Sequence, residues 1–67
     1  MFEVLKGKNG RNDRYYNPDH IQAFYIYCST DGARHLDILM LHLTENLSET
    51  YYEIDDFVDK IKGRIQS

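Results

Sequence analysis

Cysteine occurs once in this chain, at Cys28, so no disulfide can form within it, which agrees with a reducing compartment. Proline also occurs once and glycine only four times, too few for a low-complexity or disordered chain. No apolar run approaches the roughly 18 to 20 residues that cross a bilayer, and MFEVLKGKNG lacks the apolar core of a signal peptide. The expectation is a cytoplasmic protein with no membrane contact. No segment repeats. What is present is 42% hydrophobic and 28% charged residues, a globular composition. With 67 residues the chain reads as a single domain, 1–67, of a size that folds alone with little stability in reserve. A partner would therefore help it.

The formal net charge of −3 hides a polarised distribution. Lys6, Lys8, Arg11 and Arg14 outnumber Glu3 and Asp13 near the start, whereas Glu45, Glu49, Glu53, Asp55, Asp56 and Asp59 follow one another without a Lys or Arg between them. Lys60, Lys62 and Arg64 come next. An acidic domain neutralises few phosphates, which disfavours nucleic acid as a partner.

Phe2 to Leu5 can form a short strand and Arg14 to Tyr16 its return, with Asn9-Gly10 the dipeptide that most readily supplies two positive φ angles. Asn17-Pro18-Asp19 reads as a turn, because proline presets φ and short polar side chains bond nearby amides. Ile21 to Cys28 (IQAFYIYC) is aromatic and β-branched, the composition of a strand. STDGAR is a second turn, and His35 to Thr44 a further strand, with ENLSE turning the chain into Thr50–Glu53 as its pairing partner. Leu36, Leu39, Met40, Leu43 and Leu47 also fall at helical spacing, so a hairpin followed by two helices is the rival. At the end, Asp55 can cap a helix of about eleven residues, with Phe57, Val58, Ile61 and Ile65 on one face and Lys60, Lys62 and Arg64 toward the negative end of its dipole. The fold class expected is α+β: a small antiparallel sheet of four to five strands in two hairpins, then one helix.

The N-P-x-x-I turn (Asn17, Pro18, Ile21) and the acid-capped D-D-x-V-x-x-I helix (Asp55, Asp56, Val58, Ile61), in this order of elements, resemble the small FlbD-like proteins of flagellar operons and their relatives in phages and mobile elements. TENLSE stands where those proteins have a tight Asx-Gly turn. The resemblance implies this fold and a non-enzymatic, protein-binding role, with no catalytic residue to carry over.

Candidate chemistry is sparse. Asp19-His20 would have to converge as an acid–base pair, which neighbours in a turn seldom do. His35-x-Asp37 on a strand shares one face and has a spacing that can hold a metal, but His42 faces away, and only Cys28 across the hairpin could join them. Gly7-Lys8-Asn9-Gly10 lacks the glycine spacing, the Lys-Ser/Thr pair and the helix of a phosphate loop. No catalytic, cofactor-binding or metal-ligating set is assigned, and no cofactor is expected.

Alternation on the strands puts Ile21, Ala23, Tyr25 and Tyr27 opposite Phe24, Ile26 and Cys28, and Leu36, Ile38 and Met40 opposite Leu39, Leu41 and Leu43. Both faces read as apolar, and one helix covers one of them. The leading expectation is a small non-enzymatic interaction module, regulatory or adaptor, that forms a homodimer through the uncovered sheet face or docks onto another protein. The alternative is a phage or mobile-element inhibitor, anti-CRISPR-like, whose acidic segment blocks a host or defence protein. A third is a small metal-binding or enzymatic protein using His20, His35, His42 or Cys28. The residues expected to bind a partner are Tyr25, Tyr27, Glu49, Glu53, Asp55 and Asp56; the six tyrosines as a group suit contact surfaces, where a ring buries area and its hydroxyl keeps a hydrogen bond.

Overall fold

Two antiparallel sheets and one helix make up the computed structural model, which describes residues 1–64. Strands β1 (Glu3–Leu5) and β2 (Arg14–Tyr16) form a two-stranded sheet, and β3 (Ile21–Cys28), β4 (Arg34–Met40) and β5 (Leu43–Ser48) form a three-stranded meander in that order. Helix α1 (Ile54–Ile61) follows. The class is α+β, with five strands divided between two sheets rather than joined in one.

The long connection between β1 and β2 contains the expected tight turn. Asn9 (φ 53°) and Gly10 (φ 88°) both take positive φ, and the Arg11 amide donates to the Lys8 carbonyl at 3.2 Å. Beyond Leu5, however, the chain leaves β2 and turns to the segment before the helix. Gly7 bridges Tyr52, the Lys8 amide donates to the Tyr51 carbonyl, and the Glu53 amide to the Lys6 carbonyl, both at 2.9 Å. Thr50–Glu53 is therefore no partner for β4; only Tyr52 makes a sheet-like contact, and it makes it with Gly7.

Pro18–His20 form a single 3-10 turn, with the Asn17 side chain accepting from the Asp19 amide at 3.0 Å and Pro18 buried at its first position. The β3–β4 connection, residues 29–33, encloses a three-residue loop at 30–32. The Gly32 amide donates to the Ser29 carbonyl, Gly32 takes φ 85°, and the Ser29 amide donates to the Ala33 carbonyl. The expected strand at 35–44 is broken: Met40 pairs with Leu43, so Leu41 and His42 are the two central residues of a hairpin turn. ENLSE lies within or just beyond β5, and residues 35–47 form two strands joined by the Leu41-His42 turn, not the helices of the rival reading.

The faces also need correction. Ile21 pairs with Met40 and Ala23 with Leu39, which leaves Gln22 as an extra residue in a β-bulge. One extra residue inverts the alternation, so Ile21 joins Phe24 and Ile26 on the helix side rather than Ala23, Tyr25 and Tyr27 on the other. Leu43, opposite Met40, is on the helix side as well, and Leu41 is in the turn.

The core lies between the helix side of the meander and a second layer made of α1 and the β1–β2 pair. Leu36, Ile38 and Leu47 meet Leu5, Tyr16, Ile54, Phe57 and Ile61, all buried. Tyr16 meets Phe57 edge to face, with centroids 5.6 Å apart at 63°. The helix is shorter than expected, and Glu53, not Asp55, occupies its cap position without a side-chain cap bond. Ile54, Phe57 and Ile61 are its buried stripe; the expected contribution of Ile65 lies outside the described residues. No helix among the described residues is long and apolar enough to cross a membrane.

Candidate functional site

The side of the meander away from the helix is uncovered, and pairing places Ala23, Tyr25 and Tyr27 there beside His35, Asp37 and Leu39 and beside Thr44, Asn46 and Ser48. The expectation of two apolar faces is thus overturned for this side. Its middle is polar, and its apolar part is confined to β3 and Leu39.

Asn46 organises the polar part. Its amide nitrogen donates to the Tyr27 hydroxyl at 2.6 Å and to Asp37 Oδ1 at 2.7 Å, which turns its carbonyl oxygen toward His35 Nδ1 at 2.9 Å. On the other side of the ring, His35 Nε2 meets Asp31 Oδ2 at 3.2 Å. Both ring nitrogens therefore face acceptors, an arrangement that only the imidazolium satisfies with two N–H donors. The bond to Asn46, then that to Asp31, raises the His35 pKa above its ordinary value. Asp31 is held below the usual carboxylate value by the Ala33 amide, which donates to it at 2.9 Å, and then by His35. The Tyr27 ring stacks on His35, with centroids 5.8 Å apart at 21°. Tyr27 is thereby fixed at both its ring and its hydroxyl.

Tyr25 has no such anchor in this network and is 57% exposed, against 43% for Tyr27. Between them Ile26 points to the helix side but is still 40% exposed, so β3 is open on both faces over its second half. It is also an edge. Sheet order leaves one side of β3 without a neighbouring strand, and no backbone hydrogen bond joins residues 22–28 to another element besides β4 among the described residues.

The four acids expected to bind a partner lie away from these tyrosines, and each has a basic partner within the chain. Arg34, on the helix side of β4, makes a two-pronged bond to Asp55 at 3.0 and 2.6 Å and another to Glu49 at 3.2 Å, while its own amide donates to Glu49 at 2.6 Å. The bond to Asp55 is the main cause of a raised Arg34 pKa, and both carboxyls are lowered in return: Glu49 chiefly by the Arg34 amide, Asp55 by the guanidinium. Glu53 is 3.8 Å from Lys8, and Asp56 is 3.5 Å from Lys60. Glu45 accepts from Arg14 at 2.8 Å through both oxygens and from the Tyr16 hydroxyl, which in turn accepts from Arg14 Nε.

His35 and Asp37 do share a face, as their spacing implies, but Asn46 stands between them. Cys28 pairs with Arg34 on the other side of the sheet, and His42 is in the β4–β5 turn. A pocket of about 500 Å³ beside the bulge is lined by Asp19, His20, Gln22, Met40, Leu41 and His42. Among the described residues, no group of three or more His, Cys, Asp or Glu side chains is placed to hold a metal ion. Sequence reasoning missed Asn46, Asp31 and Arg34. The period-two spacing of His35 and Asp37 was the available signal, but Asn46 becomes their neighbour only once β5 is assigned to Leu43–Ser48.

Comparison with protein-family models, with curated proteins and with solved structures finds no match to this chain.

Proposed function

We propose that this chain is a small non-enzymatic protein-interaction module, regulatory or adaptor in role, whose contact surface is β3 with the tyrosine half of the uncovered face. One observation supports this above the others: Ile21–Cys28 contains no charged residue and no proline, sits at a sheet edge, and leaves Tyr25, Ile26 and Tyr27 all exposed. Edge strands normally carry lysine, proline or a covering element, since their open amides and carbonyls pair with any extended chain. Among the described residues the bulge at Gln22 is the only such device, and it lies at the start of the strand. Two rings that bury large area at small entropic cost flank this edge, one of them already immobilised on His35.

The test is capture of binding proteins from cells of the native host, with wild type and the Tyr25→Ala/Tyr27→Ala double variant compared after circular dichroism has shown equal folding. Proteins retained by wild type and lost by the double variant support the module. An identical set retained by both removes β3 as its contact surface. The inhibitor reading has less support, because Glu49, Glu53, Asp55 and Asp56 each face a basic side chain of the same molecule.

A further inference from the structure

We infer that β3 pairs antiparallel with β3 of a second copy, about a two-fold axis passing through Tyr25, to make one continuous six-stranded sheet. The inference rests on reading β3 as the contact surface and names its occupant. A two-fold that sets two edges side by side and antiparallel must run normal to the sheet, so it maps each face onto itself. Each residue then pairs with one of the same parity, and the axis must pass through a residue and its own copy. The bulge marks where regular pairing of β3 begins, and Tyr25 is the midpoint of residues 22–28. A register centred there uses the whole open edge; centred on Phe24 it runs into the bulge, and centred on Ile26 it abandons Gln22 and runs into the β3–β4 loop.

The side chains suit this register. On the uncovered face Tyr25 meets its copy, and the small Ala23 meets the large Tyr27 of the other chain. On the helix side Phe24 meets Ile26, an aromatic–β-branched pair of the kind that stabilises sheets. No charge opposes its own copy anywhere along the strand, whereas any face-to-face stacking through Asp37, His35 and Asp31 would bury this charged network. Sheet order also puts β5, with Glu45 and the nearby Arg34–Glu49 cluster, on the outer edge of each copy. The two acidic sides are then about five strand spacings apart, roughly 24 Å, well beyond the screening length in physiological salt. The edge that charge leaves free is the edge that fits itself.

Sedimentation of the full chain from micromolar to millimolar concentration tests this, together with two variants. Wild type is expected to dimerise reversibly. Tyr25→Lys places two like charges together on the axis and is expected to weaken dimerisation by at least about tenfold, with an unchanged circular dichroism spectrum. Position 25 is exposed, so this change leaves the core intact. In the Tyr25→Cys/Cys28→Ser double variant the two thiols are expected to couple across the axis under mild oxidation, because directly paired Cα atoms lie within disulfide range. The native Cys28 thiols, about 20 Å apart in this register, are expected not to couple with each other. A wild type that stays monomeric at millimolar concentration overturns the pairing, as does a dimer indifferent to Tyr25→Lys in which position 25 does not cross-link. A monomer whose captured proteins still depend on Tyr25 and Tyr27 overturns the self-pairing but supports the module. A β3-joined dimer whose captured proteins ignore both rings supports the pairing and overturns only the binding of other proteins through Tyr25 and Tyr27.

Discussion

Replacing Gly7 with alanine is the sharpest single test of how this fold is held together. A methyl group on Gly7 would sit 2.2 Å from the Arg11 carbonyl oxygen, 2.7 Å from that of Asn12 and 2.8 Å from the Arg11 carbonyl carbon. All three are backbone atoms, so no side chain can swing aside, and the Arg11 peptide must withdraw by more than about 1 Å to restore ordinary contact. That loop has little freedom to withdraw. Arg11 is tied to Lys8 by the turn bond and lies over the Tyr51 ring at 4.4 Å, and Asp13 accepts from the Gly7 amide at 2.9 Å. The same loop carries the bonds to the segment before the helix, including Asn9 to the Thr50 carbonyl at 2.6 Å. Overpacking of this kind costs about 1–3 kcal/mol, and each backbone bond lost adds about 0.5–1.5 kcal/mol. Reduced freedom of the unfolded chain returns about 0.4–1 kcal/mol. The expected net loss is about 2–4 kcal/mol, a large part of the roughly 3–10 kcal/mol that a chain of this length holds in total. In thermal melts this corresponds to a fall of about 10–25 °C. Gly10→Ala is the control, since it has positive φ but open space, and its cost is about 1 kcal/mol from backbone strain alone. Urea titration of both variants decides the matter. A Gly7→Ala chain as stable as wild type, or less affected than Gly10→Ala, would refute the packing argument.

Further outcomes follow from the polar clusters. Tyr16→Phe keeps the buried ring and its contact with Phe57 but removes the hydroxyl that bonds Glu45, so denaturant titration should show a loss of about 1.5 kcal/mol, at the low end for a bond to a charged group because Arg14 still holds Glu45. Burial, and then the bond to Glu45, raises the Tyr16 phenol well above its ordinary value, so ultraviolet titration should find one tyrosine still protonated in strong alkali until the chain unfolds. His35 has a raised pKa, so its stabilising effect is complete below its unfolded value near pH 6.5 and fades as pH rises through the higher folded value. Asp31, with a lowered pKa, acts in the opposite sense and loses its effect as pH falls through a folded value below about 3.9. Between these limits the pair is fully formed. Unfolding measured from about pH 5 to about pH 8 should show wild type losing stability with rising pH relative to His35→Gln; parallel curves, or a ring titration midpoint at or below about 6.5 by NMR, would contradict the double-donor geometry.

Elements whose cause is local were legible from the residues alone. Asn9-Gly10 can reach paired positive φ without a clash, Asn17-Pro18 presets its own turn, and Asp31-Gly32 closes a three-residue loop with one left-handed glycine. The apolar stripe of Phe57 and Ile61 is likewise a property of one helix. By contrast, Leu41-His42 carries none of the usual turn residues, and neither takes positive φ. That turn exists because Leu43–Ser48 finds β4 and Leu47 finds the core opposite Leu36, not because the dipeptide favours it. The acids between 45 and 59 form a run without a base between them, and their pairing was illegible for a similar reason, since the partners of Glu45, Glu49, Glu53 and Asp55 are Arg14, Arg34 and Lys8, from distant parts of the chain.

The uncharged, aromatic character of the Ile21–Cys28 surface was determined by the residues themselves, because composition needs no partner to be read. Which side that surface faces was decided only in three dimensions. A single extra residue at Gln22 reverses the parity of everything before it, and the assignment of β5 brings Asn46 between His35, Asp37 and Tyr27. Strand pairing is a contact between distant segments, so its register, and with it the polarity of each face, arises only when the whole sheet is assembled.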